Sequence, residues 1–330
     1  QAQAFEFKQV DIKQHGHAIE CRIYAEDPDQ GFLPTTGRIQ AILGNATIDY
    51  RLDSGYANKN MISINYDPML AKLIVHDLNR YMAIDKMQLS LNEVLFSGVK
   101  TNRGFLKRVL DHDKFLDGKI DTHFIDKEEL SLKLKYSRDE IIRFMAVSFF
   151  CQNNFSSNIW GSKFQVINKE ILINNESYSF KVTHFNGYRL EINYLGEKHS
   201  ALLHRIACQD MHISIDGDDV LASHYLFSKN GTYQVFINGV DALIKPVARA
   251  KRVSHDKQLL AGSLQSPMPG KIFKITSKVG DKVKVGDPVI VMEAMKMEHT
   301  IKASKDGVVK EIFYKEGDQI QGGILLCEIE

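Results

Sequence analysis

The chain has 330 residues, with 42 Lys and Arg against 41 Asp and Glu, for a formal net charge of +1. A balance this even supplies no global field for nucleic acid or an anionic membrane, and there is no apolar run of about 18 residues to span a bilayer as a helix. The four cysteines, Cys21, Cys151, Cys208 and Cys327, are scattered without a CxxC pair, which indicates neither zinc nor a disulfide scaffold and fits buried thiols in a reducing compartment.

The length predicts two or three domains. The opening Gln1-Ala2-Gln3-Ala4 reads neither as a signal peptide nor as an initiator methionine, so a piece of a longer chain is expected. Residues 1–130 mix strand and helix. His17 to Tyr24 alternates in the strand manner and breaks at Glu26-Asp27-Pro28; Gly37 to Leu43 and Ile48 to Leu52 read as further strands. Asn79 to Leu95 is a predicted helix with Met82, Ile84, Met87, Leu91, Val94 and Leu95 on its apolar face. Asp85 and Lys86 fall on its solvated face, and Gly98 follows as a stop.

Residues 131–248 form a different unit. Ser137-Arg138-Asp139-Glu140 is a capping box that opens a helix to about Gln152. That helix is apolar around most of its girth and should be buried on nearly all sides. Hairpin signals follow at Asn186-Gly187, Asp216-Gly217, Asn230-Gly231 and Asn238-Gly239, with strand alternation over Val182, His184, Tyr188, Leu190, Ile192 and Tyr194. A meander wrapped around one central helix fits this pattern. His184, His199, His204, His212 and His224 lack metal-ligand spacing, so no metal site is expected. Residues 249–261 are polar and charged and read as a hinged tether.

The last segment, 262–330, is an internal repeat. Gly270 and Gly307, Gly280 and Gly317, Gly286 and Gly323, Asp281 and Asp318, and Glu293 and Glu330 all share one 37-residue offset. One copy is too small to bury a core, whereas two copies about a pseudo-twofold can close a small β-sandwich. The link between them, Glu293-Ala294-Met295-Lys296-Met297-Glu298, then becomes a hairpin with Lys296 at its tip. A lysine is a flexible, hydrated amine and suits such a tip on packing grounds alone.

Two sets of residues carry a family resemblance. Ala294-Met295-Lys296-Met297, with Pro267-Met268-Pro269-Gly270 and the Gly-Asp turns, resembles the biotin-attachment motif of biotin carboxyl carrier domains. It implies a biotinyl lysine at Lys296, with Ala294, Met295 and Met297 shaping the tip for the cofactor. Lipoyl domains share the architecture, but usually place an acidic residue and an alanine where this chain has two methionines. Gly16 to Pro28, Phe32-Leu33-Pro34, Tyr66 to Ile74 and Gly98 to Asn102 look like successive blocks of the biotin carboxylase C-terminal subdomain. In that alignment Arg51 matches the family's arginine near the bicarbonate and biotin ureido site, where a guanidinium would stabilise developing negative charge. Apart from that resemblance, Arg51 reads as an ordinary strand arginine. The middle unit resembles, by layout, the BT domain of acyl-CoA carboxylase α subunits.

Together these resemblances imply a mainly β, multidomain chain with an α+β N-terminal part. Residues 1–130 would be an incomplete biotin carboxylase C-terminal subdomain and 131–248 a helix-centred antiparallel β-barrel. A linker at 249–261 would join these to a flattened, pseudo-twofold biotinyl barrel at 262–330. The whole-chain resemblance is to the biotin-containing acyl-CoA carboxylase α subunits, the 3-methylcrotonyl-CoA type first and the propionyl-CoA and other acyl-CoA types next. It implies carriage of CO2 as carboxybiotin on Lys296, a carboxyltransferase β subunit docked on the BT-like barrel, and modification by biotin protein ligase. The acyl-CoA would be bound mainly by the partner, in a hetero-oligomer of the bacterial cytoplasm or mitochondrial matrix. ATP, Mg2+ and bicarbonate would serve the full-length protein only. The ATP-grasp motifs are missing from this sequence, so these residues alone are expected to be inactive. The rivals of another class are a non-catalytic carrier or assembly module and a lipoyl-bearing subunit.

Overall fold

The computed structural model describes residues 7–44, 48–127, 135–152, 165–186, 188–226, 231–247, 263–295 and 297–330. The expected tether at 249–261 therefore lies outside the described residues, as do Lys296, Gly187 and Asn230.

The N-terminal unit contains β1 (His17–Tyr24), β2 (Glu26–Asp27), β3 (Leu33–Pro34), β4 (Gly37–Arg38), β5 (Ala41–Leu43), β6 (Arg51–Ser54), β7 (Met61–Ile62) and β8 (Met69–Asp77). Helix α1 (Arg80–Glu93), β9 (Leu95–Ser97), and helices α2 (Arg103–Leu110), α3 (Asp113–Leu116) and α4 (Phe124–Lys127) complete it. The central sheet has the order β1-β8-β6. Its alternate residues Ile19, Cys21, Ile23, Leu73 and Val75 face the core, as the period of a strand requires. Helix α1 starts where Asn79 accepts a hydrogen bond from the Met82 amide, an N-cap that satisfies one orphan donor.

Ala83, Ile84, Met87 and Leu91 form the buried stripe of α1, while Met82 is 43% exposed. The predicted apolar face is thus one residue out of register at its start. The expected strand 37–43 is split: β4 pairs with β7 and β5 with β9, with the fully buried Ile39 between them. The expected strand at 48–52 moves to 51–54, because the ladder with β8 begins at Arg51 opposite Ile74. Lys86 is not simply solvated. Its side chain is 18% exposed, donates to the His76 carbonyl and faces Asp77 and Asp49.

The middle unit is a closed antiparallel barrel around helix α5 (Arg138–Gln152). Its strands are β10 (Gln165–Ile173), β11 (Glu176–Asn186), β12 (Arg189–Tyr194), β13 (Glu197–Ala207), β14 (Asp210–Ile215), β15 (Asp218–Leu226), β16 (Tyr233–Ile237) and β17 (Val240–Pro246). β10 pairs with both β11 and β17, which closes the ring. The capping box is present: the Glu140 amide donates to Ser137 Oγ at 3.2 Å and the Ser137 amide to Glu140 Oε2 at 2.7 Å. Every residue from Phe144 to Phe150 is buried, so the all-round apolar helix is enclosed on all sides. Asp216-Gly217 and Asn238-Gly239 have positive φ at both positions, the requirement of a type I′ hairpin turn. Asn174-Asn175 and Leu195-Gly196 do the same.

The C-terminal unit contains β18 (Ser263–Gln265), β19 (Gly270–Ile275), β20 (Lys282–Val283), β21 (Pro288–Ala294), β22 (Met297–Lys302), β23 (Gly307–Ile312), β24 (Gln319–Ile320) and β25 (Leu325–Ile329). Its sheets have the orders β18-β25-β23-β20 and β22-β21-β19-β24. The 37-residue offset converts one order into the other, so the pseudo-twofold exchanges the sheets. Equivalent bonds repeat: the Lys278 amide donates to Asp281 at 2.7 Å and the Lys315 amide to Asp318 at 2.8 Å. The Gly280 amide reaches Val309 O and the Gly317 amide Ile272 O, both at 2.8 Å.

The N-terminal unit and the barrel share a buried polar junction. Gln234 accepts from the Gly98 amide at 2.9 Å and donates to Val99 O at 3.2 Å. Arg103 donates to Leu91 O, Gly239 O and Asp241.

Candidate functional site

The site is built from the β21–β22 hairpin. Strand β21 buries Val289, Ile290, Met292 and Ala294, and its register with β22 runs from Ile290 opposite Ile301 to Ala294 opposite Met297. Met295 is then the first residue beyond the ladder. Met295 has φ +50°, the left-handed conformation that short hairpin turns demand at their first position. A methionine there is uncommon, since the left-handed region disfavours a side chain.

Beneath the turn, the backbone is packed closely. A Cβ on Gly270 would lie 2.7 Å from Glu293 O and 3.3 Å from Ala294 Cβ, so only glycine fits. Met268 is buried beside it, and Ser266 Oγ donates to Met268 O at 2.5 Å and touches Met292 Sδ at 3.7 Å. The Pro267-Met268-Pro269-Gly270 segment is therefore a shelf that fixes the shape of the hairpin. His299, opposite Met292 on β22, has its pKa lowered by burial, so neutral imidazole is favoured there.

Among the expected residues, Ala294 lies in the C-terminal core, while Met295 is 3% exposed and packs with the core of the N-terminal unit. The Met295 amide donates to Ile64 O at 3.1 Å. Met297 takes part in the β22 ladder, but its side chain and all of Lys296 lie outside the described residues. Arg51 sits on the edge strand β6 with its side chain 73% exposed and is held by Asp53, through Nε at 2.9 Å and Nη2 at 2.8 Å. That hydrogen-bonded pair lowers the Asp53 pKa.

Sequence reasoning missed Glu26. Its carboxyl is pushed up to about 7 by burial, with a hydrogen bond from Asn102 opposing and Asp67 adding to the rise. The only sequence signal was the Glu26-Asp27-Pro28 break itself. Among the described residues no group of three or more His, Cys, Asp or Glu is placed to hold a metal ion.

A lysine in the link between two paired strands is suited to amide linkage with a carboxylic cofactor: the β21–β22 ladder pairs Ala294 with Met297 on either side of the link, and a long side chain supplies reach. The residues present therefore fit a biotinyl group. A family model described as the biotin carboxylase C-terminal domain matches residues 20–127, and one described as biotin-requiring enzyme matches residues 262–329. The chain is 30% identical, over 97% of its length, to the mitochondrial methylcrotonoyl-CoA carboxylase subunit alpha of Dictyostelium discoideum, and covers 50% of that protein. It is 32% identical, over 98% of its length, to the mitochondrial propionyl-CoA carboxylase alpha chain of Sus scrofa, covering 47% of it. The biotin carboxylase domain of Hydrogenobacter thermophilus 2-oxoglutarate carboxylase, in complex with MgADP, ADP and bicarbonate, is similar at 31% identity over 41% of this chain and 30% of that one, with a TM-score of 0.39. The chain spans about half the length of the curated relatives it matches.

Proposed function

We propose, for a chain that belongs to the biotin-dependent acyl-CoA carboxylase α-subunit family, that it carries CO2 on biotin linked to Lys296 from an ATP-dependent carboxylation site to a carboxyltransferase subunit. The observation that carries this reading is the hairpin at 294–297, held over the Gly270 shelf in a repeat whose two halves exchange sheets. The biotin ureido nitrogen supplies the group that holds the carboxyl between the sites. The chain's own residues do the rest. Lys296 provides the amine, and Ala294 and Met295 hold the chain that leads into it. Met297 begins the return strand. Arg51 is assigned to stabilise negative charge at the ureido oxygen: a guanidinium has five N–H donors, and Asp53 engages Nε and one Nη.

The barrel is assigned to dock a carboxyltransferase β subunit. Leu202 and Ile206 on β13 and Leu221 on β15, the strands either side of β14, are exposed, and apolar side chains exposed on neighbouring strands suit an interaction surface. Biotin protein ligase is the modifying partner, the acyl-CoA is bound mainly on the β subunit, and the assembly is a hetero-oligomer of the mitochondrial matrix or bacterial cytoplasm. ATP, Mg2+ and bicarbonate serve the full-length protein. The 3-methylcrotonyl-CoA assignment rests on the Lys296-Met297-Glu298-His299-Thr300-Ile301 run. The 32% identity to the propionyl-CoA relative favours propionyl-CoA as the second reading.

The test uses the chain biotinylated by co-expressed ligase, mixed with a separate biotin carboxylase, MgATP and labelled bicarbonate. Acid-labile label should appear on the chain and be absent from Lys296→Arg. A biotinylated chain that takes no label would contradict the carrier role.

A further inference from the structure

We infer that the C-terminal unit docks on the N-terminal unit through its modification hairpin, and that this docking closes Lys296 to biotin protein ligase. The inference rests on the carrier reading and adds a control over its first step: the ligase acts on the undocked form.

The hairpin register makes the argument. The last cross-strand pair is Ala294 with Met297, so Met295 is the first residue beyond the ladder. An amide in that position has no partner within its own hairpin. In this chain it has one, Ile64 O at 3.1 Å, contributed by the N-terminal unit. The side chain follows the amide. Met295, at 3% exposure, packs with the N-terminal core, whereas its neighbour Ala294 packs with the C-terminal core. A methionine on a free hairpin tip would be exposed; here it is a plug, and an unbranched thioether adapts well to such a seat.

A second anchor runs the other way. Leu33, on β3 of the N-terminal unit, is buried in the C-terminal core beside residues such as Met268 and Met292. Each unit therefore inserts one apolar side chain into the other, at separate points. The segment that receives the tip is itself fixed: Ile62 is buried, and the Asn65 amide donates to Ser63 Oγ at 3.3 Å. A ligase must grip the residues flanking its target lysine, and the residue before Lys296 is already engaged through both its amide and its side chain. The ligase then sees only the undocked fraction, so the rate of modification scales with that fraction.

The experiment measures amide exchange at Met295 in the whole 330-residue chain, together with the initial rate of biotin incorporation by a purified biotin protein ligase. In the native chain the Met295 amide should exchange at least about tenfold slower than its unprotected rate, since a tenfold docked excess protects it by that factor. Leu33→Asp, checked for retained circular dichroism, should release the Met295 amide and raise the ligase rate by about the same factor. Ile64→Gly, which loosens the receiving segment without a charge, should shift both in the same direction. Unprotected exchange at Met295 in the native chain overturns docking. Released exchange with an unchanged ligase rate overturns the closure of Lys296. A chain that accepts no biotin in any variant removes the carrier reading and the closure with it, while Met295 exchange still decides the docking.

Discussion

Arg103, 2% exposed, donates to Asp241 across the junction between the N-terminal unit and the barrel. The same guanidinium donates to Leu91 O at 2.7 Å and Gly239 O at 2.9 Å, and its carbon lies 5.9 Å from the centroid of the Phe236 ring. A buried guanidinium is costly unless its donors are satisfied. Here the acceptors come from both units, so neither unit alone can satisfy it.

Removing that group should be expensive. Arg103→Met leaves Asp241 and two carbonyls short of a donor, for an expected loss of about 3–5 kcal/mol. Asp241→Asn keeps an acceptor and should cost roughly 1–2 kcal/mol. Urea unfolding of the two variants checks the order. A loss below that of Asp241→Asn would mean Arg103 does not bind the units together.

Glu26 gives a pH signature. Its carboxyl is raised from the ordinary 4.5 to about 7, so the folded chain binds a proton that the unfolded chain releases. That contribution to stability is full below pH 4.5 and is lost as pH rises through about 7. Glu26→Gln cannot ionise and should gain stability relative to the native chain between pH 5 and 8, by about 1–2 kcal/mol after discounting for partial exposure. Denaturant midpoints at the two pH values read the difference. A constant offset between the two proteins would show that Glu26 titrates normally.

The repeat predicts matched responses in its two halves. Alanine at Gly270 would put its Cβ 2.7 Å from Glu293 O, and alanine at Gly307 would put it 2.2 Å from Glu330 O. Each should destabilise the C-terminal unit by roughly 1–3 kcal/mol through overpacking against backbone. Gly280→Ala and Gly317→Ala meet open space but hold φ near +95°, so each should cost about 1 kcal/mol from conformation alone. Thermal unfolding should rank the first pair below the second. A reversed order would refute the close packing under the hairpin.

Much of this was legible because the physical signals were local. The 37-residue spacing of Gly270 and Gly307 and their companions marked a twofold, and the sheets exchange as that twofold requires. The apolar girth of Phe144 to Phe150 marked a helix enclosed by strands. The Asn174-Asn175 and Leu195-Gly196 turns escaped notice, as neither carries the Asn-Gly or Asp-Gly signature. Strand β6 was misplaced because alternation over Ile48 to Leu52 does not reveal which residues β8 will pair. Distant partnerships left no trace at all. Nothing near Arg103 in the chain announces Asp241, and nothing near Met295 announces Ile64. For the site, the motif singled out Lys296 as the expected carrier, and the pairing of Arg51 with Asp53 came only from the fold.

The measurement closest to the central claim is peptide mass mapping of the chain after co-expression with biotin protein ligase. The account predicts a single biotinyl adduct, on Lys296, and none on Lys296→Arg. An unmodified Lys296 in a folded chain, or a lipoyl adduct in its place, would contradict it.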